Sequence, residues 1–247
     1  PYGGSRVAGQ KSMKYSYSSA QSIEKLDPKV AQLRVTEEKE SYVLRLESGR
    51  NIIRLGVEAR KSVTRRQMIL LARRGIALAK SQRIKRLAVS LADFTFPHLR
   101  MSEMELGELL AVNFEMANYE FVRYKTKPKD GWNFVEEIVV YGSIGKEGKK
   151  GIGKGKTIGE AVNTTRTLSN TPGGEMTPQL FAKEIQKAAR DTKVRIRVLG
   201  RREIQRLNMG GVLGVSRGSP EEPQFIIAEY WGGRREERPI VLVGKGV

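Results

Sequence analysis

The sequence predicts an α/β protein: a largely parallel or mixed sheet with helices over its faces, followed by the beginning of a second α/β unit. Three observations carry this expectation. Short apolar runs alternate with stretches whose apolar residues recur every three or four positions, the pattern of strand–helix units. Hydrophobic residues make up 39% of 247, enough to bury a core in one large domain or two ordinary ones. A Gly/Lys-rich stretch from Gly142 to Lys156 divides the pattern in two.

Taken in order, residues 1–24 are rich in Gly, Ser, Tyr and Lys without periodicity and read as a disordered arm. Tyr42 to Leu46 and Asn51 to Leu55 flank a Glu-Ser-Gly-Arg turn and read as a hairpin. Arg65 to Lys80 reads as a helix with Met68, Leu71, Ala72, Ile76 and Ala79 inward, and Arg86 to Leu91 as an apolar strand. Ser102 with Glu105 is a capping-box pair that opens a helix through about Tyr119, with a strand from Phe134 to Tyr141. The Gly/Lys-rich stretch is expected to be a flexible basic loop, so the domains are placed at 25–150 and 151–247.

Beyond it, Ile158 to Leu168 keeps helical spacing up to Ser169-Asn-Thr-Pro-Gly-Gly174. Thr177-Pro178 starts another helix, because threonine caps and proline lacks only an N–H that would have no partner there. Val194, Ile196 and Val198 alternate with arginines in a half-wet strand. Glu203 to Asn208 reads as a short helix closed by Gly210 and Gly211, and Phe225 to Ala228 and Ile240 to Val243 as further strands.

Composition excludes several chemistries. The absence of cysteine removes disulfides and Cys-ligated zinc, and a single histidine, His98, cannot build a His–His metal site. No apolar run reaches the roughly 18 residues of a membrane span, and the N-terminus lacks the apolar core of a signal peptide, so a cytoplasmic protein without a membrane partner is expected. The net charge of +18 points to a polyanionic partner, with a solvated basic surface as the alternative. Nine Lys and Arg residues crowd 61–86 without interleaved aromatics, which fits a solvated face better than a nucleic-acid stacking platform.

Several motifs are candidate sites. Gly155-Lys-Thr157 supplies the end of a phosphate loop, but the required first glycine falls on Lys150. The glycine spacing also misses the dinucleotide fingerprint, since Gly151 and Gly153 would require a third glycine at Lys156. His98 reads as a loop or edge residue and Asp93 as a secondary candidate, with no catalytic triad assembling around them. Lys245 lies between two glycines just after an apolar run, where open α/β sheets place their ligands. It is either a functional lysine, nucleophilic or metal-binding if buried, or a lysine of a surface turn.

The second half also resembles a known family. Glu160 to Pro178, Ile204 to Ser219 and the closing Pro239-Ile-Val-Leu-Val-Gly-Lys-Gly-Val247 are similar, in order, to the domain junction and early catalytic domain of the leucyl aminopeptidases, peptidase family M17. The first half looks like the family's macro-like N-terminal α/β domain. The resemblance implies a binuclear metalloaminopeptidase releasing N-terminal residues from peptides, a cytoplasmic homohexamer using two divalent ions, zinc or manganese. It makes Lys245 a metal ligand. The remaining ligands belong to a Thr-Phe-Asp-(Ser/Thr)-Gly-Gly motif and an Asn-Thr-Asp-Ala-Glu-Gly-Arg motif, which this sequence lacks. The chain is therefore expected to be a piece of a longer enzyme, ending two residues after its first metal ligand, with no catalytic residue of its own and no activity alone. A basic nucleic-acid-binding module is the alternative, and an ADP-ribose binder a third reading that rests on fold alone.

Overall fold

The computed structural model describes residues 12–234 and 236–246. Residues 1–11, the first part of the expected arm, lie outside them. The chain divides into two compact units, Pro1–Thr167 and Leu168–Val247.

The first unit is built on a six-stranded sheet of order β1-β6-β5-β2-β4-β3. Its strands are β1 (Lys14–Tyr17), β2 (Ala31–Thr36), β3 (Tyr42–Arg45), β4 (Asn51–Gly56), β5 (Arg86–Val89) and β6 (Glu137–Val140). Every neighbouring pair is parallel except β3 with β4, the expected hairpin, whose turn places Gly49 at φ +81°. Three helices accompany the sheet: α1 (Arg65–Ser81), α2 (Glu103–Asn118) and α3 (Lys146–Asn170).

Alternation decides which face each strand residue serves. Leu33, Val35, Ile53, Leu55, Leu87, Val89, Ile138 and Val140 join one core with Met68, Leu71, Ile76, Leu106, Leu110, Phe114 and Ile152 of the helices. On the opposite face Val30, Ala88, Val139 and Tyr141 form a smaller cluster against Ile23 and Leu26. That face also carries polar ties: Gln32 Nε2 donates to Tyr141 Oη at 2.7 Å, and Glu137 accepts from Ser16 (2.8 Å) and Arg86 (2.8 Å).

Local chemistry starts the helices where expected. Ser102 and Glu105 form the capping box of α2, and Thr64 with Gln67 forms a second one on α1. Each satisfies N–H groups that the first helical turn leaves without partners.

Two strands escaped the pattern reading. β2 is central, and its Ala-Gln-Leu-Arg-Val alternation is a period-two signal with one polar face. β1 falls within the stretch taken for a disordered arm. It is short and half polar, and it exists because Lys14 to Tyr17 pair in register with Glu137 to Val140.

The Gly/Lys-rich stretch corrects a larger expectation. Lys146–Asn170 is one continuous helix, with no loop at 151. Gly148, Gly151, Gly155 and Gly159 recur at helical spacing and are buried. A Cβ on Gly151 would stand 2.1 Å from the Met104 carbonyl oxygen, and one on Gly155 2.3 Å from that of Glu108. The glycines thus let two helix backbones approach to contact, and that packing outweighs their poor helix propensity. The division between units falls near the end of α3, so the boundary expected at 150/151 lies inside a helix.

The second unit contains α4 (Pro178–Ala188), β7 (Arg195–Leu199), α5 (Arg201–Arg206), α6 (Gly210–Ser216) and β8 (Phe225–Glu229). Thr177 caps α4 by accepting from the Leu180 N–H at 3.2 Å. β7 and β8 pair antiparallel, Arg195 opposite Glu229 through Leu199 opposite Phe225. Gly210 and Gly211 open α6, contrary to the expectation that they close α5; the left-handed residue after α5 is Asn208, at φ 53°. The expected strand at Ile240 to Val243 is irregular chain. A strand exists through its ladder, and this segment pairs with no strand among the described residues.

Candidate metal centre and the carboxyl edge of the sheet

Lys245 sits in the irregular segment after β8 and is exposed. The apolar residues before it are exposed too, Ile240 and Leu242 at 92% and Val243 at 93%. The buried setting expected of a functional lysine is therefore missing. No group of three or more His, Asp or Glu residues that could hold a metal occurs among the described residues. Two divalent ions need several oxygen donors, and one exposed lysine supplies none of them. These residues by themselves do not fit a binuclear centre.

The carboxyl ends of the parallel strands are where an open α/β sheet would place a ligand. After β5 the chain makes a 3-10 turn, Leu91–Phe94, which carries Asp93. Burial raises the Asp93 carboxyl above its ordinary value, opposed by the charges of Arg34 and Arg60. Arg60 is fixed nearby: its guanidinium donates to the carbonyls of Asp93 (3.0 Å) and Thr95 (3.2 Å) and lies 4.9 Å over the Phe96 ring. Sequence inspection raised Asp93 but missed both arginines, because they come from β2 and from the loop after β4. The cluster sets one carboxylate within the field of two cations with no nucleophile–base pair, and the Arg60 bonds to backbone carbonyls read as a structural clamp.

His98 stands in the next 3-10 turn, Pro97–Leu99, with Nε2 2.7 Å from the Val63 carbonyl oxygen. That contact requires the Nε2–H tautomer and ties the turn to the approach of α1. A cavity of about 60 Å³ lies close by, lined by Met68, Phe94, Phe96, Leu99, Met101 and Leu106 among others. It is too small for a nucleotide.

The N-terminus of α3, the position at which a phosphate loop would act, is taken by a carboxylate. Glu103 Oε1 accepts from the Gly145 N–H at 2.9 Å, and the glycines beyond face α2. An anion site there is already occupied by the protein's own side chain.

The basic stretch 61–86 is partly neutralised. Lys80 pairs with Glu120, Arg83 with Asp130 (3.2 Å), Lys85 with Glu136 (3.1 Å) and Arg86 with both Asp27 (2.9 Å) and Glu137 (2.8 Å). Arg73 donates to Asn113 Oδ1 at 2.8 Å.

Comparison with known proteins supplies what the local geometry does not. Residues 163–247 match the catalytic domain of the cytosol aminopeptidase family. A probable cytosol aminopeptidase of Rickettsia typhi is 38% identical over 149 residues, 60% of this chain and 30% of that protein. One of Paraburkholderia phymatum is 37% identical over 131 residues, 52% of this chain and 26% of that protein. The chain thus spans about a third or less of the curated relatives it matches. Among solved structures, a tomato leucine aminopeptidase mutant superposes with TM-score 0.74 at 18% identity, covering 90% of this chain and 52% of that one. The bottromycin maturation enzyme BotP gives TM-score 0.66 at 19% identity, covering 80% and 45%. At such identities the likeness is one of fold.

Proposed function

We propose that the chain belongs to the cytosol aminopeptidase family, peptidase family M17, and is part of an aminopeptidase that releases N-terminal amino acids from peptides. The observation that carries this reading is the match of residues 163–247 to the family's catalytic domain. The match includes the Gly244-Lys245-Gly246 turn singled out by the sequence.

We assign Lys245 as one ligand of a centre for two divalent ions, zinc or manganese. Its position in the matched stretch supports this, as does the solved manganese complex of BotP. The carboxylates that would complete the centre are not among the described residues. The 247-residue chain on its own is therefore expected to be inactive. A cytoplasmic homohexamer is the assembly that the family resemblance favours, and no helix among the described residues is long and apolar enough to cross a membrane.

The test compares two proteins. The 247-residue chain with added manganese should hydrolyse leucyl-p-nitroanilide no faster than its Lys245→Ala variant. An extended protein carrying both acidic motifs should turn the substrate over and lose at least ~100-fold of that rate on Lys245→Ala, as expected when a metal centre is disrupted. Activity in the short chain above its variant would overturn the inactivity, and an inert extended protein would overturn the aminopeptidase reading.

A further inference from the structure

Glu115 stands on the α2 side of the glycine seam, 2% exposed, in a place with no evident structural need for a carboxylate. Its Oε1 is buried without a hydrogen-bond partner. α3 closes over it: a Cβ on Gly159 would lie 2.5 Å from Glu115 Cβ, and Asn163 Nδ2 donates to the Glu115 carbonyl at 2.9 Å. From β1, Tyr15 packs alongside with its hydroxyl 3.4 Å from the Ala111 carbonyl oxygen, and the Met13 backbone N–H faces the carboxyl. The charged groups facing it are Glu160 and Lys156, both from α3, themselves paired at 3.8 Å.

We propose that Glu115 makes the α2–α3 seam a pH-responsive latch, closed while the carboxyl is protonated and loosened as it ionises. The neutral acid is the form that suits a dry seam, because an ionised one must hold a desolvated negative charge, one oxygen of it without a hydrogen-bond donor, beside a second carboxylate. Gly155 and Gly159 bring the backbones so close that water reaches the carboxylate only if α3 moves away. Burial, and then Glu160, push the Glu115 carboxyl from 4.5 up to about 7; Lys156, the Tyr15 hydroxyl and the Met13 N–H oppose this without prevailing.

The sign follows from linkage. In an opened seam the group titrates near its ordinary value. Between that value and about 7 the closed form therefore holds more protons, and closure weakens as pH rises. Below this window the group costs nothing, and above it the cost is constant. A gap of this size corresponds to a rise in the opening constant on the order of 100-fold.

Hydrogen exchange of the 247-residue chain, corrected for the intrinsic pH dependence of exchange, tests the latch. Amides of residues 152–163 should lose on the order of 100-fold in protection from pH 5 to pH 8, while Glu115→Gln should hold them constant. Flat protection in the parent chain, or an equal loss in the variant, would overturn the proposal. A carboxyl-carbon NMR titration of the unmodified chain provides a check that needs no variant. A Glu115 midpoint near 7 that moves down in Glu160→Gln supports the latch, and a midpoint at 4 to 5 refutes it.

Discussion

Arg50 shows how one side chain can hold a loop that no regular element covers. It is 6% exposed, and its guanidinium donates to the carbonyls of Leu26 (2.8 Å), Val30 (2.9 Å) and Asp27 (3.3 Å). Truncation would remove the guanidinium donors from the Leu26 and Val30 carbonyls, while the Asp27 carbonyl keeps the Val30 N–H at 2.9 Å. Arg50→Ala should therefore cost about 2–3 kcal/mol in urea denaturation, whereas the neighbouring exposed Arg45→Ala should lie within about 0.5 kcal/mol of the parent. The sequence marks Arg50 as a turn residue and nothing more, because its partners lie 20 to 24 positions away. Lys245 is the opposite case. Its Gly-Lys-Gly surroundings single it out, yet the fold here leaves it exposed without a carboxylate cluster. Lys245→Ala should shift the melting temperature of the 247-residue chain by less than about 1 °C.

At the scale of the element, α3 offers an internal control. Gly151 and Gly153 occupy the same helix, but a Cβ on Gly151 would collide with the Met104 carbonyl while one on Gly153 meets open space. Gly153→Ala should raise stability by about 0.5–1 kcal/mol through helix propensity. Gly151→Ala should lower it by about 2 kcal/mol or more, since backbone must move to admit the methyl. Thermal unfolding of the two variants decides the matter, and equal shifts would disprove the seam. Capping is legible at this scale because its hydrogen bonds span only four residues. Ser102→Ala should cost about 1 kcal/mol. The glycine period of 148, 151, 155 and 159 was equally visible, but its meaning depended on a partner helix forty residues earlier in the chain.

Across the whole molecule, the two units differ in how much core they possess. The first buries a contiguous cluster from four strands and three helices, with Tyr15 of β1 and Val43 of β3 packed against it, whereas buried side chains in the second are few, among them Ala182, Leu199 and Ile204. The second unit also exposes four consecutive apolar residues, Ile240 to Val243. Such segments promote association through their unpaired backbone. Leu242→Lys should leave the circular dichroism spectrum unchanged and reduce concentration-dependent self-association in sedimentation velocity. Unchanged association would show that the segment is not responsible.

By itself, the sequence determined the α/β class, the β3–β4 hairpin, the helices α1, α2 and α4 with the caps of the latter two, the chemistries barred by the lack of cysteine and the scarcity of histidine, and the family that the second half resembles. Each rests on residues close together in the chain, or on composition. Tertiary structure decided that Lys14–Tyr17 is a strand, that a glycine-rich stretch is a packed helix and that Ile240 to Val243 is unpaired. It also decided that Asp93 lies within the field of Arg34 and Arg60, and that Glu115 is sealed with an orphaned oxygen. The physical reason is common to all of these: hydrogen-bond ladders, backbone contact and desolvation are set by groups distant in sequence. A local pattern identifies which residues seek partners, and only the fold supplies or withholds them.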